Sequence, residues 1–89
     1  MTFKGTIEFN GEEYDVEIER RVKIVGNVFI VTLFDEELLK TVPSGCITVF
    51  EDNRQMSVDF PRPPPNKDFI YLAMSVMDEV QEIIDNGYL

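Results

Sequence analysis

The stretch Val28-Phe29-Ile30-Val31-Thr32-Leu33-Phe34 decides the fold. The fold depends on which parts of the chain pack over its two faces. Its β-branched and aromatic residues follow Gly26-Asn27, and this pattern predicts a β-strand rather than a helix. Successive side chains in a strand point to opposite faces, so both faces of this strand are largely apolar. Such a strand is typical of the centre of a sheet and needs a covering layer on each side.

Length and composition indicate one small globular domain. The chain has 89 residues, of which 44% are hydrophobic, enough for a single core, so we expect one domain over residues 1–89. Cys46 is the only cysteine, so the fold cannot depend on an internal disulfide. No apolar run approaches the ~20 residues of a membrane span, and the first residues carry no signal-peptide pattern. We therefore expect a cytoplasmic protein with no membrane contact.

The charge is strongly acidic. The formal net charge at pH 7 is −9, from 17 acidic and 8 basic residues. Direct binding to nucleic acid needs clustered Lys and Arg against the phosphates, so we expect no nucleic-acid partner. An acidic surface favours solubility and can attract basic proteins.

The first two strands form a predicted hairpin. Asn10-Gly11 favours a type I′ turn, which pairs Phe9 with Glu12 and Ile7 with Tyr14. One face of this hairpin is then almost wholly apolar. The opposite, acidic face carries Glu8, Glu13, Asp15 and Glu17. This acidic face is either an idle solvated surface or a site for a cation or a basic partner. The second reading rests on Glu8 directly opposite Glu13, an unfavourable pair that a positive charge would relieve.

Apolar residues continue at even positions beyond this hairpin, with Arg20 as the exception. This pattern predicts one long strand over residues 12–25, followed by a turn at Gly26-Asn27. The turn gives the cross-strand pairs Val25–Val28, Ile24–Phe29 and Val22–Val31. Arg20 either extends past the end of a covering helix or pairs with a buried carboxylate.

The next segment contains a short helical turn and a second hairpin. Asp35 can cap the helical turn, in which Glu36 stands four residues ahead of Lys40. The hairpin, over residues 46–60, is expected to turn at Asp52-Asn53. This turn gives the pairs Val49–Met56 and Ile47–Val58. Residues 61–65 include four prolines, which predict an extended connection.

The spacing of apolar residues over positions 67–85 predicts an amphipathic helix, and Asn86-Gly87 predicts its C-terminal stop. Its apolar arc consists of Phe69, Ile70, Leu72, Ala73, Val76, Met77, Val80, Ile83 and Ile84. We expect this arc to cover the sheet face formed by Phe3, Ile7, Tyr14, Val16, Ile18, Val22, Ile24, Phe29, Val31 and Leu33. The predicted fold is α+β: an antiparallel sheet of about five strands, in the order β-β-β-short helical turn-β-β-α, with the C-terminal helix packed on one face.

Catalytic and metal-binding patterns are absent from the sequence. The chain has no His, and Cys46 lacks a His partner that could activate it. The sequence contains no glycine-rich phosphate loop, zinc-ligand spacing or EF-hand loop. We therefore expect neither an enzyme nor a bound cofactor or metal.

The sheet face away from the helix is the candidate site. Its apolar residues are Val25, Val28, Ile30, Phe34, Cys46 and Phe50, and charged residues border them. This pattern is typical of an interface, unless the second hairpin folds over it within the chain. We expect a non-enzymatic protein-interaction domain that forms a homodimer or binds another protein there. The alternatives are an acidic decoy for a basic, nucleic-acid-binding protein surface, and a small-ligand carrier with a pocket between helix and sheet.

Overall fold

A computed structural model describes residues 2–24, 26–53, 55–59 and 67–87, so the proline-rich connection predicted at residues 61–65 lies outside the described residues. The elements are β1 (Thr2–Phe9), β2 (Glu12–Val22), β3 (Asn27–Leu33), α1 (Glu36–Thr41), β4 (Cys46–Asp52), β5 (Gln55–Val58) and α2 (Lys67–Asp85). The strands form one antiparallel sheet in the order β1-β2-β3-β4-β5. The predicted α+β fold is confirmed.

The first hairpin has the predicted register. Phe9 pairs with Glu12 and Ile7 with Tyr14. Asn10 and Gly11 have φ angles of 53° and 79°, the positive values that a type I′ turn requires at both central positions. The local turn chemistry and the apolar alternation agree here, and the register follows from both.

The predicted register between β2 and β3 is wrong by four residues. The predicted pairs Val25–Val28, Ile24–Phe29 and Val22–Val31 are therefore wrong as well. Val22 pairs with Asn27, and Ile18 pairs with Val31. The amide of Lys23 donates to the Gly26 carbonyl at 3.1 Å, so Gly26 is the last residue of the turn and Asn27 already belongs to β3.

The structure gives two reasons for this shift. Gly26 has a φ of 75°, and a Cβ there would collide with the carbonyl oxygen of Glu51. Asn27 is a member of β3, where its side chain accepts a hydrogen bond from Arg20 Nε at 3.1 Å and donates to Glu51 Oε2 at 3.4 Å. Arg20 is thus linked to a carboxylate through Asn27, which neither expectation for Arg20 included.

The shift also removes two residues from the predicted core. Val22 is 70% exposed and Ile24 is fully exposed, because β2 ends at Val22 and the chain leaves the sheet. A shift by an even number of residues does not change which face a side chain occupies. The other assignments to the two faces of the sheet therefore hold.

The second hairpin is shifted by two residues from its predicted register. Val49 pairs with Val58 and Asp52 with Gln55, in place of the predicted pairs Val49–Met56 and Ile47–Val58. The turn begins at Asn53, which has a φ of 55°. Asn tolerates positive φ better than most residues, and this favours Asn53 as the first central residue of the turn.

The short helix α1 contributes more to the core than its sequence suggested. Asp35 caps it by accepting the Glu37 amide at 2.9 Å, as predicted, while Lys40 pairs with Glu37 at 3.0 Å rather than with Glu36. Leu38 and Val42 are both buried within the main core. Their burial holds α1 against the same face of the sheet as α2.

The long helix α2 has the predicted bounds and the predicted buried arc. Its buried residues are Phe69, Leu72, Ala73, Val76, Val80 and Ile83. Ile70, at the border of the arc, is 40% exposed. After the helix, Gly87 has a φ of 74° and its amide donates to the Ile84 carbonyl at 3.1 Å, as a C-terminal stop requires.

All the buried strand residues share the face that carries the helices, which we call the inner face. They are Ile7, Phe9, Val16, Ile18, Phe29, Val31, Leu33, Ile47, Val49 and Val58. Full burial of one such side chain is worth roughly 1.5–3 kcal/mol. The opposite side of the sheet is called the outer face below.

We predict that Val80→Asp abolishes cooperative unfolding. Val80 is 0% exposed, and an unpaired carboxylate there costs several kcal/mol, a large share of the stability of a domain this small. Urea denaturation followed by circular dichroism measures the effect. Met74→Asp is the matched control, since Met74 lies on the same helix and is 57% exposed. A cooperatively folded Val80→Asp protein would contradict the docking of α2.

Candidate interaction surface

The outer face divides into two halves of different chemistry. The half formed by β1 and β2 is acidic and carries Glu8, Glu13, Asp15, Glu17 and Glu19. The half formed by β3 and β4 carries Val28, Ile30, Cys46 and Phe50, and Phe34 follows β3 directly and borders outer-face residues. We define these five residues as the apolar patch. The sixth predicted patch residue, Val25, lies outside the described residues.

The apolar patch consists of two groups along the strands. Val28 lies directly opposite Phe50, and Ile30 is two residues further along β3. Phe34 and Cys46 lie at the other end of the same strands. Phe50 is 41% exposed and Phe34 is 58% exposed, while Val28 and Ile30 are half-buried. Two aromatic rings therefore offer apolar surface to solvent at opposite ends of the patch.

Two threonines separate these groups. Thr48 lies opposite Ile30, and Thr32 lies opposite Cys46, all on the outer face. These threonines were not part of the predicted site, to which only apolar residues were assigned. Threonine is common in strands and presents a methyl group beside its hydroxyl. The surface between the two aromatic rings therefore presents both methyl and hydroxyl groups and is not wholly polar.

The second hairpin does not fold over the patch. β4 pairs with β3 and β5 pairs with β4 in the same sheet, so the hairpin extends the outer face instead of covering it. Both helices place their buried residues in the inner core. Within residues 2–24, 26–53, 55–59 and 67–87, every element is thus part of the sheet or packs on its inner face.

The acidic half has the cross-strand arrangement predicted for it. Glu8 lies opposite Glu13, Asp15 opposite Thr6, and Glu17 opposite Lys4. Like charges directly opposite each other destabilise a sheet slightly. A search of the described residues finds no group of three or more His, Cys, Asp or Glu side chains placed to hold a metal ion. This half therefore offers a region of negative potential.

The two halves meet at an open cleft. Phe34, from the apolar patch, lines it together with Lys4, Asp15 and Glu17. The cleft volume is about 450 Å³. A partner that covers Phe34 would therefore also contact carboxylates.

A further acidic surface lies between β1 and α2. Two clefts of about 200 and 490 Å³ share Thr6, Glu79 and Glu82 as lining residues. Glu79 lies outside the predicted apolar arc of α2, yet it is half-buried against β1. Burial raises the pKa of the Glu79 carboxyl, and the neighbouring Glu82 raises it further, whereas a hydrogen bond from the backbone N–H of Thr6 lowers it.

Two other side chains carry groups that can react in some proteins, a thiol and a phenol. Cys46 is an exposed free thiol. Tyr14 donates a hydrogen bond to Glu12 Oε2 at 3.0 Å. Its pKa is raised by burial, and then by Glu12 and the more distant acids Asp35 and Glu37. A tyrosine with a raised pKa is a poor base and a poor nucleophile near neutral pH, so the Tyr14 hydroxyl does not suggest a reaction.

Comparison of the chain with protein-family models, curated proteins and solved structures finds no match. Among the described residues, no helix combines the length and the apolar character needed to cross a membrane. Function is therefore inferred from the surfaces described above.

We predict that Glu13→Lys leaves the free energy of unfolding unchanged or raises it by roughly a few tenths of a kcal/mol. The lysine would replace a repulsive pair with an attractive one beside Glu8 at the surface. Chemical denaturation measures the difference, and Glu13→Gln separates loss of charge from reversal of charge. A clear loss of stability would show that these carboxylates bind a cation or pair internally.

The raised pKa of Glu79 predicts a pH-dependent effect of Glu79→Gln. The folded state binds the Glu79 proton more tightly than the unfolded chain, so the stability that this group contributes falls as pH rises above its ordinary pKa of 4.5. Glutamine removes this cost and can still accept the Thr6 N–H. We expect Glu79→Gln to be more stable than the parent at pH 7, by roughly a few tenths of a kcal/mol after solvent screening, with the gain vanishing near pH 4.

Denaturation at both pH values measures this difference. Asp59→Asn is the control, because Asp59 is an exposed carboxylate beyond β5, at the other side of the sheet. A gain at pH 7 that persists unchanged at pH 4 would mean that the Glu79 charge is not its cause.

Proposed function

We propose that this chain is a non-enzymatic protein-interaction domain that self-associates through its outer face. The observation that carries the proposal is the exposure of Phe34 and Phe50 on the side of the sheet away from both helices. Exposed aromatic rings set in a β-branched surface and bordered by charge are typical of interfaces. The division of the outer face into an apolar and an acidic half favours a second copy of the chain as the partner that covers the apolar patch.

The division of the outer face allows a symmetric dimer despite the charge of −9 on each chain. A two-fold axis parallel to the strands and between β3 and β4 would place the two apolar halves over each other. β2 of each copy would then lie over β5 of the other, because the strand order is β1-β2-β3-β4-β5. The two acidic halves would not face each other, and packed sheets about 10 Å apart would enclose the patch.

The small size of the patch indicates a weak dimer. β3 and β4 have seven residues each, so the apolar half is about 23 Å long and two strands wide. An interface of this size is at the lower end of those that form specific complexes. We therefore expect an association that depends on protein concentration, and that strengthens with salt because salt screens the repulsion between two acidic chains.

The alternatives use other parts of the molecule. A small-ligand carrier needs space between α2 and the sheet, but Leu72, Val76 and Val80 on the helix are 0% exposed against the sheet. This close packing favours the interaction hypothesis over a carrier. An acidic decoy would use the β1–β2 half, where Glu8 and Glu13 are opposed. Its binding to basic proteins would weaken with salt, the reverse of the dependence expected for the dimer.

We predict that Ile30→Lys remains folded and becomes monomeric. Ile30 is half-buried near the middle of β3, and a lysine there can reach water in the free subunit but not in a closed dimer interface. Light scattering after size exclusion, over a range of protein concentrations at about 0.5 M salt, measures the mass, since this ionic strength screens exposed charges. Circular dichroism checks the fold.

Thr2→Lys is the matched control for Ile30→Lys. Thr2 pairs with Glu19, which pairs with Ile30, so both positions are in one cross-strand row of the outer face. The charge change is the same, but Thr2 is outside the patch and should leave the dimer mass unchanged. A parent that is monomeric at every concentration, or an Ile30→Lys protein that keeps the dimer mass, would overturn self-association through this face.

A further inference from the structure

β1 is an edge strand of the sheet whose outer edge does not pair with another strand of the described chain. The pair Phe9–Glu12 closes a two-residue hairpin turn, so the residues that bond across to β2 are the odd-numbered ones of β1. The backbone N–H and C=O groups of the even-numbered residues instead point away from β2, to the free edge of the sheet. These residues are Thr2, Lys4, Thr6 and Glu8, and all four are exposed.

The hydrogen bond at Thr6 confirms this direction. The Thr6 amide donates to the Glu79 carboxylate, which is on α2 and outside the sheet. A Cβ placed on the neighbouring Gly5 would lie 2.8 Å from Glu79 Oε1, so the carboxylate lies directly against β1. Glu79 thus occupies one donor of an edge to which no other described residue is hydrogen-bonded, and a charged side chain at this place discourages indiscriminate strand pairing.

The clefts beside this edge are lined by carboxylates on the α2 side. Asp78, Glu79 and Glu82 line them together with Glu8 from β1. Among the described residues, Lys4 is the one basic residue that lines either cleft. An extended segment lying along β1 would alternate its side chains, so that every second one faces α2 and these carboxylates.

The charge excludes a second copy of the chain as the occupant. Two β1 edges paired about a two-fold axis would bring the α2 carboxylates of both copies together, since Glu79 and Glu82 flank the edge in each. Glu79 already has a pKa raised by burial and by Glu82, so further negative charge at this place is unfavourable. Lys or Arg side chains in the same place would be stabilised.

We propose that the edge of β1 binds an extended, basic segment of a partner protein as a sixth strand, with its Lys or Arg residues at alternate positions facing Glu79 and Glu82. Strand addition to a free sheet edge is an established mode of peptide recognition. A backbone carbonyl of the segment replaces Glu79 as the acceptor of the Thr6 N–H. The released Glu79 carboxylate then pairs with a cation of the segment. This surface is separate from the outer face and does not depend on the proposed dimer.

The test uses a fluorescent peptide of alternating Lys with Val or Thr, and the same peptide N-methylated at the residues whose amides would face β1. Both peptides carry the same charge, so only strand pairing distinguishes them. Fluorescence anisotropy with the full chain should show affinity for the first peptide and a loss of about tenfold or more for the second, since two or more hydrogen bonds are removed. Equal binding of the two peptides would overturn the proposal and indicate attraction by the acidic surface alone. Absence of binding of the first peptide would also overturn it.

Protein variants locate the contact. Thr6→Pro removes the edge-facing N–H while leaving the bonds to β2 in place, and Glu79→Lys reverses the charge. Each should lower the affinity for the unmodified peptide by about tenfold, because each removes hydrogen bonds or an ion pair. Asp59→Lys, at an exposed carboxylate beyond β5, is the matched charge control and should bind the peptide with at most a small decrease.

Amide chemical shifts decide between the two surfaces of the molecule. The peptide should perturb Thr2, Lys4, Thr6 and Glu8, and Ile30→Lys should bind it like the parent whether or not the outer face forms a dimer. Perturbations confined to β3 and β4 would overturn the assignment of the peptide to β1. A parent whose dimer mass is lost in Thr6→Pro would also overturn it, because a second copy would then occupy the edge.

Discussion

The burial of one face of β3 in the core beneath the helices is the constraint on which the rest of the structure depends. Phe29 and Val31 on this strand are almost fully buried, as are Leu72, Val76 and Val80 on the helix. Because β3 is the central strand of five, its position determines which face of every other strand joins the core. The helix can cover only one face of the sheet, so the second apolar face of β3 remains outside. The outer patch is therefore a direct consequence of a central strand that is apolar on both sides.

The sequence predicted the elements, the faces and the bounds of α2, but not the registers of two hairpins. The type I′ turn at Asn10-Gly11 was identified because both residues favour positive φ. At Gly26-Asn27 the same pattern was misleading, since Asn27 belongs to β3 and bonds to Arg20 and Glu51 through its side chain. Both partners lie outside the turn, and Glu51 is 24 residues away in sequence, so local turn chemistry could not reveal them. Apolar alternation could not correct the error either, because a shift by two or four residues leaves every side chain on the same face.

The sequence predicted which residues lie on the candidate site more closely than it predicted how those residues are arranged in space. The apolar and acidic halves of the outer face follow from alternation along the strands, which does not depend on the exact register. The proximity of Phe34 to Lys4, Asp15 and Glu17 depends on how the chain leaves β3, and alternation contains no such information. The position of Glu79 against β1 depends on how α2 lies across the sheet. A helical pattern gives the buried side of a helix but not the direction in which it crosses its neighbours.

The two surfaces differ in the physics that would hold a partner. On the outer face the attractive groups are apolar and the acidic halves of two copies must be kept apart from each other, so screening the charges would help association. At the edge of β1 the attractive groups are backbone donors and acceptors beside α2 carboxylates, so screening weakens association. The net charge of −9 therefore acts in opposite directions at the two places. The two proposals are therefore compatible with each other, because the carboxylates that would favour a basic segment at the edge of β1 are absent from the centre of the apolar patch on the outer face.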